Sequence, residues 1–430
     1  MRASGHVHGV QFNWVYRRDI DHEALRRLHD NLAHGLVGRR IERSPVPFGR
    51  HRWVSCHELP GIDVDPPAHT HAALSGWVEE RAQIPVHPEF GPSWHLGVLP
   101  IKDYGTAVSL VTSHTIIDGA GLCLAVRDAV NGIRNDFGYP PPRSRPRRRA
   151  LAEDARQAAR GLPEVGHALV AMTKLAAANR PTLGRPSASA APSVSKRGPD
   201  RPVAVPTATA YIDLADWDDC AERLGGTSNA LFAGFAAKLA EKYGRVRAKD
   251  DLVTLNYPVN DRTENDLRAN ALKGIDFAVD PEPVTVDLRK IRADIKQALV
   301  LGLGKFKEQE SVLPLTPLIP TAVVRKLPLA ALNAADLPVG CSYFGDVDPT
   351  VACADGTPAD YFSIRMLEQN LTEKSPELSA GELYLCAGRI CGKLYITFRA
   401  YQRGEENSRD ILRERISRTL GDFDLTGAIE

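Results

Sequence analysis

The chain has 430 residues, 43% hydrophobic and 25% charged, with a formal net charge of +1 at pH 7. This length exceeds what one ordinary core fills, so two domains are expected, built on a soluble globular composition. The near-neutral balance excludes a dedicated nucleic-acid binder, and no apolar run is long enough to span a membrane.

The opening residues 1–8 lack the apolar core of a signal peptide. Seven cysteines (Cys56, Cys123, Cys220, Cys341, Cys353, Cys386 and Cys391) are scattered without a Cys-x-x-Cys pair. That usage suggests reduced thiols in a cytoplasmic protein and argues against structural zinc.

In chain order, Val10, Phe12, Trp14 and Tyr16 alternate with other residues and predict a half-buried strand over 8–16. Asp21 can cap a helix that puts Leu25, Leu28 and Leu32 on one face and ends at Gly35. Strands are expected near 51–57, 93–100 and 106–114, and Leu122, Val126, Ala129 and Ile133 give a helical period after Gly119. Residues 138–150 form a Pro/Arg run read as a solvated loop, 151–179 read as one helix, and 180–206 read as a flexible linker.

The second half repeats this mixture. A strand near 207–213 leads to helices at 216–224 and from Ser228 or Asn229 to Tyr243. Strands are expected at 252–258, 274–280, 339–344, 361–369 and 381–386, and a Cys391-Gly392 turn joins 386–390 to 393–399. Helices are expected at 286–303, 320–334 and around Ile411 to Leu420. The fold class is therefore α/β (α+β), with domains at 1–179 and 207–430 joined by the linker 180–206.

One segment carries chemistry. The apolar strand residues 107–113 deliver His114, and Asp118-Gly119 follows at the opening of a helix. The positive end of that helix disfavours an imidazolium, and a neutral ring can accept a proton from a hydroxyl or amine attacking a carbonyl. Asp118 either orients the ring, as in a triad, or turns inward to pair with an arginine; Gly119 leaves room for a close backbone path. The plain alternative is a buried, hydrogen-bonded histidine beside a turn.

No Gly-x-Ser-x-Gly elbow occurs, and no histidine follows His167, which excludes a serine hydrolase with a late histidine. His6/His8 and His69/His71 lack a third ligand and read as surface or strand histidines, so no metal is expected. The Gly302-Leu303-Gly304-Lys305 stretch is not a phosphate loop and reads as helix or turn. Direct transfer through one base, without a covalent enzyme intermediate, remains.

The run Ser113-His114-Thr115-Ile116-Ile117-Asp118-Gly119 resembles the HHxxxDG signature of the acyltransferases that depend on coenzyme A or carrier proteins. That superfamily includes chloramphenicol acetyltransferase, condensation domains, wax ester synthases/diacylglycerol acyltransferases and polyketide-associated acyltransferases. Gly91-Pro92-Ser93-Trp94-His95-Leu96, Thr227 to Ala233, Tyr257 to Arg262 and Cys341 to Gly345 match further elements in order. The likeness implies two chloramphenicol-acetyltransferase-like domains in a V, with His114 in a tunnel between them.

It further implies that His114 is the catalytic base and that Asp118 pairs structurally with Arg262 beside Gly119. Ser113, Ser342, Tyr343, Phe344 and Gly345 would line the substrate channel. Ser113 stands where many members have a first histidine, and Tyr343 where an asparagine is common. No cofactor would be bound. An acyl-CoA or acyl/peptidyl carrier-protein thioester, carrying phosphopantetheine, would donate to a small-molecule hydroxyl or amine acceptor. Two other readings share the fold: a catalytically silent module that recruits a partner protein, and an enzyme with a changed reaction such as cyclisation.

Overall fold

The first strand, Val7–Tyr16 (β1), sits at the heart of one sheet, with Val10, Phe12, Trp14 and Tyr16 wholly buried. In a computed structural model the described residues are 6–47, 49–56, 60–68, 70–178, 200–318, 337–375, 378 and 381–430. After β1 come α1 (His22–Leu32), β2 (Arg39–Glu42), β3 (Arg52–Ser55), β4 (Ile62–Val64), α2 (Ala73–Gln83), β5 (Trp94–Ile101) and β6 (Gly105–Ser113). Then follow α3 (Gly119–Val130), α4 (Arg147–Arg160), α5 (Leu162–Ala178), β7 (Thr207–Asp213), α6 (Leu214–Arg223) and α7 (Ser228–Lys242). The remainder holds β8 (Val253–Asn260), β9 (Leu272–Val279), α8 (Arg289–Val312), β10 (Val339–Asp346) and β11 (Tyr361–Gln369). It closes with β12 (Glu382–Ile390), β13 (Lys393–Tyr401), α9 (Arg409–Asp422) and β14 (Ala428–Ile429).

Two large sheets organise these elements. The first has the order β11-β1-β6-β5-β4, and the second β14-β7-β13-β12-β10-β8-β9. Each backs a core of its own: α1 and α3 pack on the first, and α7 lies against β8 and β10 of the second. Helix α7 is capped by Thr227, whose hydroxyl accepts from the Ala230 amide, and nearly all of Ala230 to Ala240 is buried. A helix apolar on every side belongs inside a core.

Several expectations need correction. Strand β1 is buried on both faces, because α2 covers the side away from α1; the Gln11 side-chain amide nitrogen donates there to the Val78 carbonyl and the Ser109 hydroxyl, both at 2.9 Å. The Pro/Arg run is not all loop, since α4 begins at Arg147 directly after Pro146, and Gly161 breaks the expected single helix into α4 and α5. Helix α8 starts at Arg289 rather than 286 and runs on to Val312, taking in Gly302 to Lys305. The helix expected at 320–334, and residues 180–199 of the expected linker, lie outside the described residues.

The division at 207 does not separate the sheets. Strand β11 pairs antiparallel with β1, from Val7 opposite Gln369 to Val15 opposite Tyr361. A central strand needs ladder partners on both edges, and the second half of the chain supplies one of them. The two halves are therefore stitched by backbone hydrogen bonds as well as by packing.

Candidate active site

His114 is the first residue after β6, where the chain leaves the sheet; its amide donates to the His8 carbonyl at 2.9 Å. Four residues later Asp118 caps α3, its carboxylate accepting from the Gly121 amide at 2.7 Å. From the other half, the loop between β8 and β9 folds over this turn. The Asp118 amide donates to the Ala269 carbonyl at 2.9 Å, and the Asn270 side chain donates to the His114 carbonyl at 3.1 Å.

The same loop carries Arg262, whose side chain is 1% exposed against 0% for Asp118. Its Nη2 and Nε donate to the two Asp118 carboxylate oxygens at 2.8 and 3.2 Å. The remaining donors reach the carbonyls of Asp266, Arg268 and Ala269. Asp118 also accepts from the Ala271 amide at 2.7 Å. The carboxylate is thereby saturated by structural donors, so of the two roles open to it the geometry selects the inward ion pair.

A second buried arginine was not legible in the sequence. Arg39 of β2 is 0% exposed and donates to the carbonyls of Ile116 and Leu267 and to the Tyr139 hydroxyl. Its guanidinium lies 4.1 Å from the centre of the Trp53 ring. It ties the His114–Asp118 turn to the β8–β9 loop, as Arg262 does, yet nothing in Arg39-Arg40-Ile41-Glu42 marks it out. Asn270 was missed for the same reason: its partner is a main-chain carbonyl 156 residues away.

His114 opens onto a cavity of about 560 Å³ lined from both halves of the chain. Gly119, Cys123 and Leu124 of α3 line it from the first half of the chain, and Pro258, Leu272, Phe344 and Met366 from the second. Burial is the main influence on the imidazole and lowers its pKa below the usual 6.5; the Asp118 charge and the Asn270 side chain oppose that shift. Loss of water on burial is the largest cause of that shift.

Of the expected channel residues, Ser342, Tyr343 and Phe344 line the cavity. Ser113 does not. It is fully buried at the end of β6, where alternation turns it away from its neighbour, and its hydroxyl accepts from the Thr115 amide at 3.4 Å. Gly345 does not line it either: it takes φ +66° in the irregular stretch of β10 between Tyr343 and Asp346, steering the strand past the cavity. The Tyr343 hydroxyl donates to Ser228 Oγ at 2.7 Å, which also accepts from Trp217 Nε1 at 2.9 Å. The Ser342 and Tyr384 hydroxyls lie 2.5 Å apart at the wall, sharing one hydrogen between them.

Gly119 meets Phe344, and Gly121 meets Arg262. A Cβ on Gly121 would come within 3.0 Å of the Arg262 guanidinium carbon, so this glycine lets the arginine reach Asp118. Elsewhere, His8 pairs with Glu368 at 2.9 Å, and His71 stacks on Tyr104. Among the described residues no group of three His, Cys, Asp or Glu side chains is placed to hold a metal ion. No described helix is long and apolar enough to cross a membrane.

No family model and no curated protein matches the sequence. Solved structures do match along nearly its whole length. The first condensation domain of the calcium-dependent antibiotic synthetase aligns at a TM-score of 0.56 and 14% identity, over 98% of this chain and 92% of that one. Polyketide synthase associated protein 5 from Mycobacterium tuberculosis aligns at 0.52 and 16%, over 97% and 94%. The nonribosomal peptide synthetase FmoA3 aligns at 0.50 and 17%, over 98% of this chain and 40% of the longer one. The chain has the condensation-domain fold, a mixed α/β fold shared with polyketide synthase associated protein 5.

Proposed function

We propose that the protein is an acyltransferase that moves an acyl group from an acyl-CoA or carrier-protein thioester to a hydroxyl or amine. The observation that carries this reading is the position of His114: a half-buried imidazole on a cavity between the two halves, with its neighbouring carboxylate held elsewhere by Arg262. The condensation-domain fold supports it, because those domains join acyl and acceptor groups.

His114 takes the proton from the acceptor as its oxygen or nitrogen attacks the thioester carbonyl carbon. The new carbon–oxygen or carbon–nitrogen bond forms, the oxyanion collapses, the carbon–sulfur bond breaks, and the proton passes to the leaving sulfur. Ser342 and Tyr384 share one hydrogen with each other and have a second to offer the cavity, which suits a donor to the oxyanion. Tyr343 already donates to Ser228 and is not that donor.

The test is mass spectrometry of intact protein and products after incubation with mixed acyl-CoAs, acyl-carrier proteins, and alcohol and amine acceptors. An acylated acceptor with unmodified protein is expected. Acylated protein in place of that product, or no product with any donor, overturns the reading.

A further inference from the structure

The β8–β9 loop is pinned to the His114 turn on both sides of one residue. The Ala269 carbonyl accepts from the Asp118 amide at 2.9 Å, and the Ala271 amide donates to the Asp118 carboxylate at 2.7 Å. Asn270 lies between them, so its main chain is fixed from either side and its side chain is delivered to one place. That place is His114, whose carbonyl accepts from Asn270 Nδ2 at 3.1 Å.

The same side chain also hydrogen-bonds the imidazole, in the sense that favours a protonated ring. An amide does this through its oxygen, which accepts from a ring N–H. Asn270 therefore grips His114 twice, by main chain and by ring. The His114 main chain adds a ring hydrogen bond of the same sense, through the carbonyl that Asn270 holds. A neutral imidazole has a single N–H. With that hydrogen committed here, the other nitrogen keeps its lone pair for the acceptor's proton.

The loop does not need this side chain for its own anchorage. Asn270 is exposed, whereas the Asp118–Arg262 pair and the main chain of Ala269 and Ala271 fasten the loop. We infer that Asn270 is a positioning residue, supplied by the second half of the chain, that sets the tautomer and orientation of the His114 ring. The inference rests on the acyl-transfer reading for its catalytic consequence, and Asn270 acts through His114 rather than on substrate.

Other groups act on the ring: Asp118, paired with Arg262, and His8 of β1, paired with Glu368. The cavity wall also carries Cys123 and Arg127 of α3, Glu264 of the loop, Tyr343 and Asp346 of β10, Asp348, and Tyr384 of β12. All are retained in variants of residue 270, so differences among those variants report Asn270.

The experiment follows the imidazole itself. NMR of the full chain with isotope-labelled histidine reads each ring across a pH series, and the His114 signals are those lost in His114→Ala. The parent should hold one neutral tautomer. Asn270→Ala should mix the two tautomers and lower the pH at which the ring titrates, because the side chain favours the charged form. Asn270→Asp sets a negative charge beside the ring and should raise that pH by about one unit or more. Transfer is then measured with the mixed acyl-CoAs and acyl-carrier proteins and the alcohol and amine acceptors. Asn270→Ala should lose about tenfold or more in kcat with KM little changed. The acid limb should move to lower pH in Asn270→Ala and to higher pH in Asn270→Asp.

The two readings fail separately. Unchanged tautomer and titration in both variants overturn the positioning role, whatever the activity. The expected ring changes, with no product from parent or variant, retain the positioning and overturn acyl transfer. Ring changes with kcat unmoved overturn the catalytic value of that orientation. Unfolding of both variants also overturns the inference, because the side chain would then be holding the fold.

Discussion

Gly119 of α3 and Phe344 of β10 meet across the seam between the two halves, so closely that a Cβ on Gly119 would lie 2.6 Å from the ring's Cζ. With the ring where it stands, the first turn of the helix approaches the second sheet this closely because residue 119 has no Cβ, and both residues line the cavity. Gly119→Ala must push the ring aside, a strain of about 1–3 kcal/mol. We expect kcat/KM for acyl transfer to fall about tenfold or more, with most of it recovered when Phe344→Leu is added. An alanine variant with unchanged turnover would show that the close approach is not needed.

Breaking the Asp118–Arg262 pair leaves one buried charge without compensation. Arg262→Met should destabilise the protein by about 3–5 kcal/mol, read from the urea midpoint. Combined with Asp118→Asn, the loss should be clearly smaller than the sum of the two single variants. Additive effects would mean that the pair is not coupled.

The acid limb of the pH–rate profile reports the base. Burial lowers the His114 pKa, so the ring stays neutral, and able to take a proton, at pH values where a free imidazole is already charged. Activity should be flat through neutral pH and fall only as pH drops below 6.5. A limb centred at or above 6.5 would contradict the burial argument.

Stability should show two opposing proton linkages. His95 is held down at about 4 by burial and then by the Arg81 charge. Its folded form stays neutral where the unfolded form takes a proton, so stability is lost as pH falls from 6.5 towards 4. Burial raises Glu382 to about 7, so its folded form keeps a proton that the unfolded form releases, and stability is lost as pH rises from 4.5 to 7. The two slopes offset each other between 4.5 and 6.5. Glu382→Gln should unmask the first, with stability falling by roughly 2 kcal/mol relative to the parent on acidification across that window. Parallel pH profiles for parent and variant would remove the assignment.

What the sequence made legible followed from local signals. The alternation of Val10, Phe12, Trp14 and Tyr16 marks β1, Asp21 caps α1 as read, and His114-Thr115-Ile116-Ile117-Asp118-Gly119 locates the turn at the cavity. Arg262 was found through resemblance rather than pattern, since 144 residues separate it from Asp118.

The misses have physical causes. Helix α2 follows Ala72 and α4 follows Pro146, and neither residue supplies a side-chain cap, so neither start is announced. Strands β2 and β4 are too short to show a period. Strand β11 was legible as a strand but not its place in the first sheet, because pairing across 346 residues or more leaves no local trace. Met366 of β11 lines the same cavity as His114 through that pairing.

The most direct measurement is thioester consumption by His114→Ala, with the folded state checked in parallel. With an accepted donor and acceptor, the account predicts a loss on the order of 10²–10⁴-fold in rate without loss of fold. Turnover by the variant equal to that of the parent would contradict it.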